Sequence, residues 1–226
     1  KIKKNTKIKI GFNDLEVKII KKNDKFLTCK IIKAGVIESN KGVHFSCKID
    51  LPPFTSKDLK AIKIGIKNNI KFYALSFCNN QNDLKSFISI LGKKKYVISK
   101  IETKEGFINR NKITELSNAI LIDRGDLSRY IPIEKIPYAQ NKIIYTAKIK
   151  KTPVFVATNL LESMISNNEP TRAESNDVYS SLKNGCSGLV LAAETAIGKN
   201  PILSVEFLNK CLQSYKDFTM KKFNFF

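Results

Sequence analysis

The sequence predicts an α/β protein of repeated strand–helix units on a parallel sheet, preceded by part of a small all-β domain. Apolar runs of strand length recur at 72–77, 96–101, 119–122, 154–158 and 188–192, and segments of helical period separate them. Such alternation marks a parallel α/β sheet rather than a sandwich or a bundle. Before residue 50 the period changes. Leu15, Val17 and Ile19 alternate with charged neighbours, and a second β-prone run follows at 26–32, which reads as a hairpin.

The helices follow in order. Ser56 precedes a face marked by Leu59, Ile62 and Ile66. Leu84, Phe87, Ile88 and Leu91 fall at i, i+3, i+4 and i+7, with Asn82 placed as the cap and Gly92 as the stop. Ile136, Ile143, Ile144 and Ala147 mark a further face, Pro170-Thr171-Arg172-Ala173-Glu174 opens the next helix, and Asn200-Pro201 starts the last. Each face reads as core.

Composition sets the outer bounds. With 226 residues, 42% of them hydrophobic, the chain can bury a sizeable core as one domain plus part of another. No apolar run approaches the roughly 20 residues of a membrane span, and no signal peptide is visible. Cys29, Cys47, Cys78, Cys186 and Cys211 lack zinc-type spacing, so unpaired buried thiols in a reducing compartment are expected, the cytoplasm or an organelle interior such as a plastid. The net charge of +20 raises the question of a polyanionic partner. Basic runs lie at 1–9, 93–95 and 148–151, with an aromatic and basic tail at 215–226. The charge is mostly lysine spread over helices alongside abundant Asn and Ile, which argues against a nucleic-acid partner.

Chemistry is expected where the strands stop, because a barrel of βα units builds its active site from the loops at the carboxyl ends of the strands. The 96–101 strand delivers Lys100 and, two residues on, Glu102, on the same side. The next strand delivers Arg124-Gly125-Asp126. Glu102 and Asp126, from neighbouring strands, are natural ligands for one Mg²⁺ (or Mn²⁺), which takes oxygen donors at about 2.0–2.1 Å. A lysine beside that metal suits phosphoryl transfer, where positioned cations stabilise the charge on the phosphoryl oxygens. Taken singly, each motif has a plainer reading: Lys100 and Glu102 as a surface ion pair, Arg-Gly-Asp as a capped turn, Thr158 as a strand end. Arg172, Glu174 and Asp177 read as helix-start charges and subunit contacts, and His44 as incidental.

Several motifs in one order resemble pyruvate kinase across nearly the whole chain. They are Asp50-Leu51-Pro52-Pro53 with Ser56-Lys57-Asp58, Ala74-Leu75-Ser76-Phe77, Ile98-Ser99-Lys100-Ile101-Glu102, Arg124-Gly125-Asp126-Leu127, Ala157-Thr158 through Met164, and Glu194-Thr195-Ala196. The resemblance implies a portion of a TIM-type (β/α)₈ barrel, its fourth to eighth units, at 50–214. Residues 1–49 would close the β-rich lid domain, and 215–226 would begin the link to a further carboxyl-terminal domain. It implies Mg²⁺-dependent phosphoryl transfer from phosphoenolpyruvate to ADP, giving pyruvate and ATP. Lys100 would stabilise the phosphoryl group and Glu102 and Asp126 would hold the metal. Gly125 and Asp126 would offer backbone N–H groups to the substrate carboxylate, and Thr158 would line the carbon that is reprotonated, with Arg124 and Glu194 in support. It also implies a tetramer, and K⁺ with ligands outside this chain.

Departures from the family pattern stand beside these matches. Asp123 replaces a small residue and adds negative charge where an anion would bind; Ser128 replaces a glycine, Asn159 a longer amide, and Ala192-Ala193 a Ser-Gly pair. Phe12-Asn13-Asp14 only loosely matches the lid's Asp-Asp-Gly. The first three strands of a complete barrel would precede residue 1, so the chain reads as part of a longer protein whose isolated portion is not expected to turn over. Two alternatives follow: a pyruvate-kinase-like pseudoenzyme that binds a partner, for example a polyanion, and a lyase-type barrel sharing the metal and carboxylate arrangement.

Overall fold

The computed structural model describes residues 2–11, 15–37, 39, 41–47, 49, 51–92 and 94–219. Lys1, Phe12-Asn13-Asp14, Asp50, Lys93 and residues 220–226 lie outside the described residues. The chain forms two compact units, Lys1–Asp58 and Leu59–Phe226.

In the first unit, strands β1 (Lys7–Ile10), β2 (Leu15–Lys22), β3 (Leu27–Lys33) and β4 (Val43–Phe45) make an antiparallel sheet in the order β3-β2-β1-β4. The period-two pattern dictates this. Leu15, Val17 and Ile19 fall on one face of β2 and are buried with Ile8, while the polar residues between them face outward. The predicted hairpin is β2 paired with β3.

In the second unit, β5 (Phe72–Leu75), β6 (Tyr96–Ile101), β7 (Ala119–Asp123), β8 (Val154–Ala157) and β9 (Gly188–Val190) form a parallel sheet in sequential order. Sequential order with helices between the strands is the winding of a barrel, in which every strand ends at the same rim. The helices are α1 (Ser56–Lys67), α2 (Gln81–Leu91), α3 (Lys104–Ile108), α4 (Arg110–Leu116), the single turn α5 (Arg124–Leu127), α6 (Ile136–Lys150), α7 (Arg172–Lys183), the single turn α8 (Ala193–Ala196) and α9 (Pro201–Thr219). Val97, Ile101, Ile120, Ile122, Val154 and Val156 are buried on the strands, and Leu84, Phe87, Leu91, Ile143, Ile144 and Ala147 are buried on the helix faces read from the sequence.

Local details depart from the sequence reading. The cap of α2 is Asn80, not Asn82. Its side-chain oxygen accepts from the N–H groups of Asn82 (2.8 Å) and Asp83 (3.0 Å), so the helix starts earlier than the apolar face alone shows. Gly92 ends that helix at φ +76° and ψ 179°, a conformation essentially restricted to glycine. Gly188 is needed for a different reason: a Cβ there would come within 2.7 Å of the Phe155 ring on the adjacent strand. All five cysteines are unpaired, but only Cys78 is buried and the other four are half-buried.

Candidate active site

Polar side chains gather where β6, β7 and β8 end. Lys100 lies on β6 and Glu102 just past it, so the two-residue spacing sends both to one side of the sheet. The Lys100 Nζ sits 2.5 Å from Glu102 Oε1 and 3.1 Å from Asp123 Oδ2, the last residue of β7. Glu102 is 1% exposed, and its second oxygen accepts the Phe77 N–H at 2.5 Å. Phe77 presents that N–H from a left-handed backbone, φ 52°, at the end of β5. Asp126, on α5, completes the group. Glu102, Asp123 and Asp126 each bring one carboxylate oxygen within 4.8 Å of the others, and Arg129 Nε lies 3.4 Å from Asp126 Oδ1.

Thr158 ties this group to β8. Its φ of 68° is costly for a β-branched residue, and its Oγ1 accepts the Gly125 N–H at 2.9 Å. The hydroxyl proton has two acceptors in reach, the Ala157 carbonyl at 2.6 Å and Asp123 Oδ1 at 3.3 Å. Asp123 Oδ1 also accepts the Asp126 N–H at 3.4 Å, capping α5. Arg124 points elsewhere. Its Nε and Nη2 donate to the Thr158 carbonyl (3.0 and 2.6 Å), while Nη1 pairs with Asp177 Oδ2 (2.6 Å) and reaches Gln140 Oε1 (3.4 Å). The strained turn at Thr158 is thus held from both sides.

Behind that turn two more carboxylates are fully engaged. Glu194, 1% exposed at the end of the β9 unit, accepts the N–H groups of Leu161 (3.0 Å) and Ala192 (2.8 Å). Glu174 closes a capping box with Thr171 and accepts the Ser163 N–H and hydroxyl at 2.7 and 2.5 Å.

The electrostatics follow from burial and neighbours. Burial pulls the Lys100 pKa down, but Glu102 and Asp123 more than reverse this and leave it above the ordinary lysine value, so the ammonium stays charged. Burial pushes the Asp126 carboxyl up, with Asp123 adding to the effect and Arg129 and Lys100 opposing it. The donor set fits a hard divalent cation: carboxylate oxygens from adjacent strands, close enough to share one ion.

These groups stand at the carboxyl ends of adjacent parallel strands. Residues 1–205 match the family described as pyruvate kinase, barrel domain. The chain belongs to the pyruvate kinase family. It is 35% identical to the pyruvate kinase of Thermotoga maritima over all of its length and 48% of the relative's. It is 37% identical to that of Methanocaldococcus jannaschii over 90% of the chain and 46% of the relative. With the chloroplastic pyruvate kinase isozyme G of Nicotiana tabacum it shares 35% identity, over 88% of the chain and 36% of the relative. The chain spans about half the length, or less, of these curated relatives. The five parallel βα units are part of the pyruvate kinase barrel domain, and the antiparallel sheet is separate from them. Among the described residues, no helix is long and apolar enough to cross a membrane.

The structure brings Lys100, Glu102, Gly125, Asp126 and Thr158 together, and sets Arg124 and Glu194 behind them. From the sequence Asp123 reads only as a foreign charge, whereas in the structure it sits between Lys100, Thr158 and Asp126. Its place as the last strand residue before Arg-Gly-Asp was the available signal. The Arg124–Asp177 and Ser163–Glu174 contacts, across 53 and 11 residues, left no local signal.

Proposed function

We propose that the protein is a pyruvate kinase in activity, transferring the phosphoryl group of phosphoenolpyruvate to ADP with Mg²⁺ (or Mn²⁺) to give pyruvate and ATP. The observation that carries this is Lys100 held against Glu102 and Asp123, with Asp126 beside them, at the carboxyl ends of adjacent parallel strands. Glu102 and Asp126 would hold the metal, which when bound neutralises charge on the phosphoryl oxygens. Lys100 supplies a fixed ammonium beside the phosphoryl group; its raised pKa keeps it charged at neutral pH. The Gly125 and Asp126 N–H groups, now bonded to Thr158 Oγ1 and Asp123, face the place for the substrate carboxylate. Thr158 lines the carbon of the departing enolate that takes up a proton, and Arg124 and Glu194 keep its turn in place. K⁺ bound by residues outside this chain and assembly as a tetramer belong to the same reading.

The test is phosphoenolpyruvate-dependent ATP formation by the full-length protein, with Mg²⁺ and with the metal chelated, alongside Lys100→Met. Turnover of about 1–100 s⁻¹ is expected. It should vanish on chelation and fall about 10²–10³-fold in the variant. A folded protein that binds Mg²⁺ without turnover would support the alternative of a binding protein, which the Asp123 and Ala192-Ala193 departures favour.

A further inference from the structure

Asp123 stands at the end of β7 among three donors that could equally serve a bound anion. It is 9% exposed. Its Oδ2 lies 3.1 Å from the Lys100 ammonium, and its Oδ1 lies 3.3 Å from the Thr158 hydroxyl and 3.4 Å from the Asp126 N–H. In the proposed function those same three groups face the substrate: Lys100 its phosphoryl group, the Asp126 N–H its carboxylate, and Thr158 the carbon that takes up a proton. The Gly125 N–H, the fourth donor, is taken by Thr158 Oγ1. An incoming carboxylate therefore meets a fixed negative charge already seated on its donors. Both Oδ1 contacts are long for hydrogen bonds, so they are readily exchanged for better ones. Glu102 and Asp126 are the metal ligands in that reading, and Asp123, third member of the same carboxylate group, is ion-paired with Lys100.

We propose that Asp123 is an internal competitor for the substrate carboxylate, lowering the affinity of the site for phosphoenolpyruvate. The inference rests on the pyruvate kinase reading for the choice of ligand. Its consequence is a site tuned to high substrate concentration: the substrate must displace the Asp123 carboxylate, or bind against it, before it can use Thr158 and the Asp126 N–H. The competing role is the cap of α5, which Asp123→Asn preserves, since an amide oxygen can still accept the Asp126 N–H while the charge is removed.

The experiment is calorimetric titration of phosphoenolpyruvate, at saturating Mg²⁺, into the full-length wild type, Asp123→Asn and Asp123→Ala, with melting temperatures and steady-state kinetics. Both variants are expected to bind about tenfold more tightly, because like charges facing across a site weaken binding strongly. KM should fall by a larger factor than any change in kcat. Unchanged or weaker binding by a folded Asp123→Asn protein overturns the inference, and decides the matter alone should Asp123→Ala fail to fold. Wild-type turnover without tightening in the variants sinks this inference and leaves the pyruvate kinase reading intact. Tightening without turnover in any form does the reverse. No binding by any of the three proteins overturns the inference.

Discussion

Two groups of carboxylates lie at the ends of the same parallel sheet, and their partners differ in kind. Glu194 and Glu174 are matched by the chain itself: backbone N–H groups of Leu161 and Ala192 for one, and Ser163 and Thr171 for the other. Glu102, Asp123 and Asp126 converge within 4.8 Å of one another, with Lys100 as the cation between the first two and Arg129 beside the third. Carboxylates satisfied by fixed donors hold a fold in place. Carboxylates crowded together in a partly buried site favour an added cation, since like charges at such distances repel strongly in low dielectric. The difference separates a scaffold from a site without reference to any relative.

The largest effect should come from the crowded group. Asp126→Asn is expected to weaken Mn²⁺ or Mg²⁺ binding, read by calorimetry, by more than the ~10–100-fold typical of outer partners, with melting little changed. Unaltered metal affinity would break the comparison. Arg124→Ala strips the Thr158 carbonyl of two donors and leaves Asp177 unpaired, so a loss of about 2–3 kcal/mol is expected. That corresponds to a drop of about 4–12 °C in a thermal melt.

Glu194→Gln sharpens the contrast. Glu194 spends one oxygen on each of two backbone N–H groups, whereas an amide offers one acceptor and sets an NH₂ against the other donor. The expected cost is about 1–3 kcal/mol, with metal affinity untouched. Glu174→Gln should cost least, about 1 kcal/mol at neutral pH. Burial pushes the Glu174 carboxyl up, but the hydrogen bonds from Ser163 and Thr171 outweigh it and hold its pKa below the ordinary 4.5. Its folded pKa being depressed, the stabilisation is complete above about pH 4.5 and is lost as pH falls through the folded value. The gap in stability between wild type and Glu174→Gln, followed by denaturant titration, should therefore be constant near neutrality and close on acidification below pH 4.5. A gap that widens in acid would remove the carboxylate's structural role.

Much of this was legible in the order of residues. Apolar runs of strand length separated by helical period gave β5 to β9, because period and run length are properties of neighbours along the chain. The two-residue step from Lys100 to Glu102 fixed their common side for the same reason. Pro170 through Glu174 marked a helix start, and α7 begins there at Arg172; the capping box of Thr171 and Glu174 that closes it came from the structure. Boundaries were less legible. The Asn80 cap lay outside the apolar face of α2, and the 72–77 run stops as a strand at Leu75, ahead of the left-handed turn at Phe77.

By itself the sequence determined the periodic elements, the family, and which charged residues stand where strands stop. Only the tertiary structure decided that Asp123 joins Lys100 and Thr158 instead of facing solvent, that Arg124 turns to Asp177, and that the Phe77 N–H caps Glu102. Those contacts join residues 23 to 53 positions apart. Local propensity carries no information at such separations; the register of parallel strands and the burial of the groups between them set the distances, and the distances set the charge of the site.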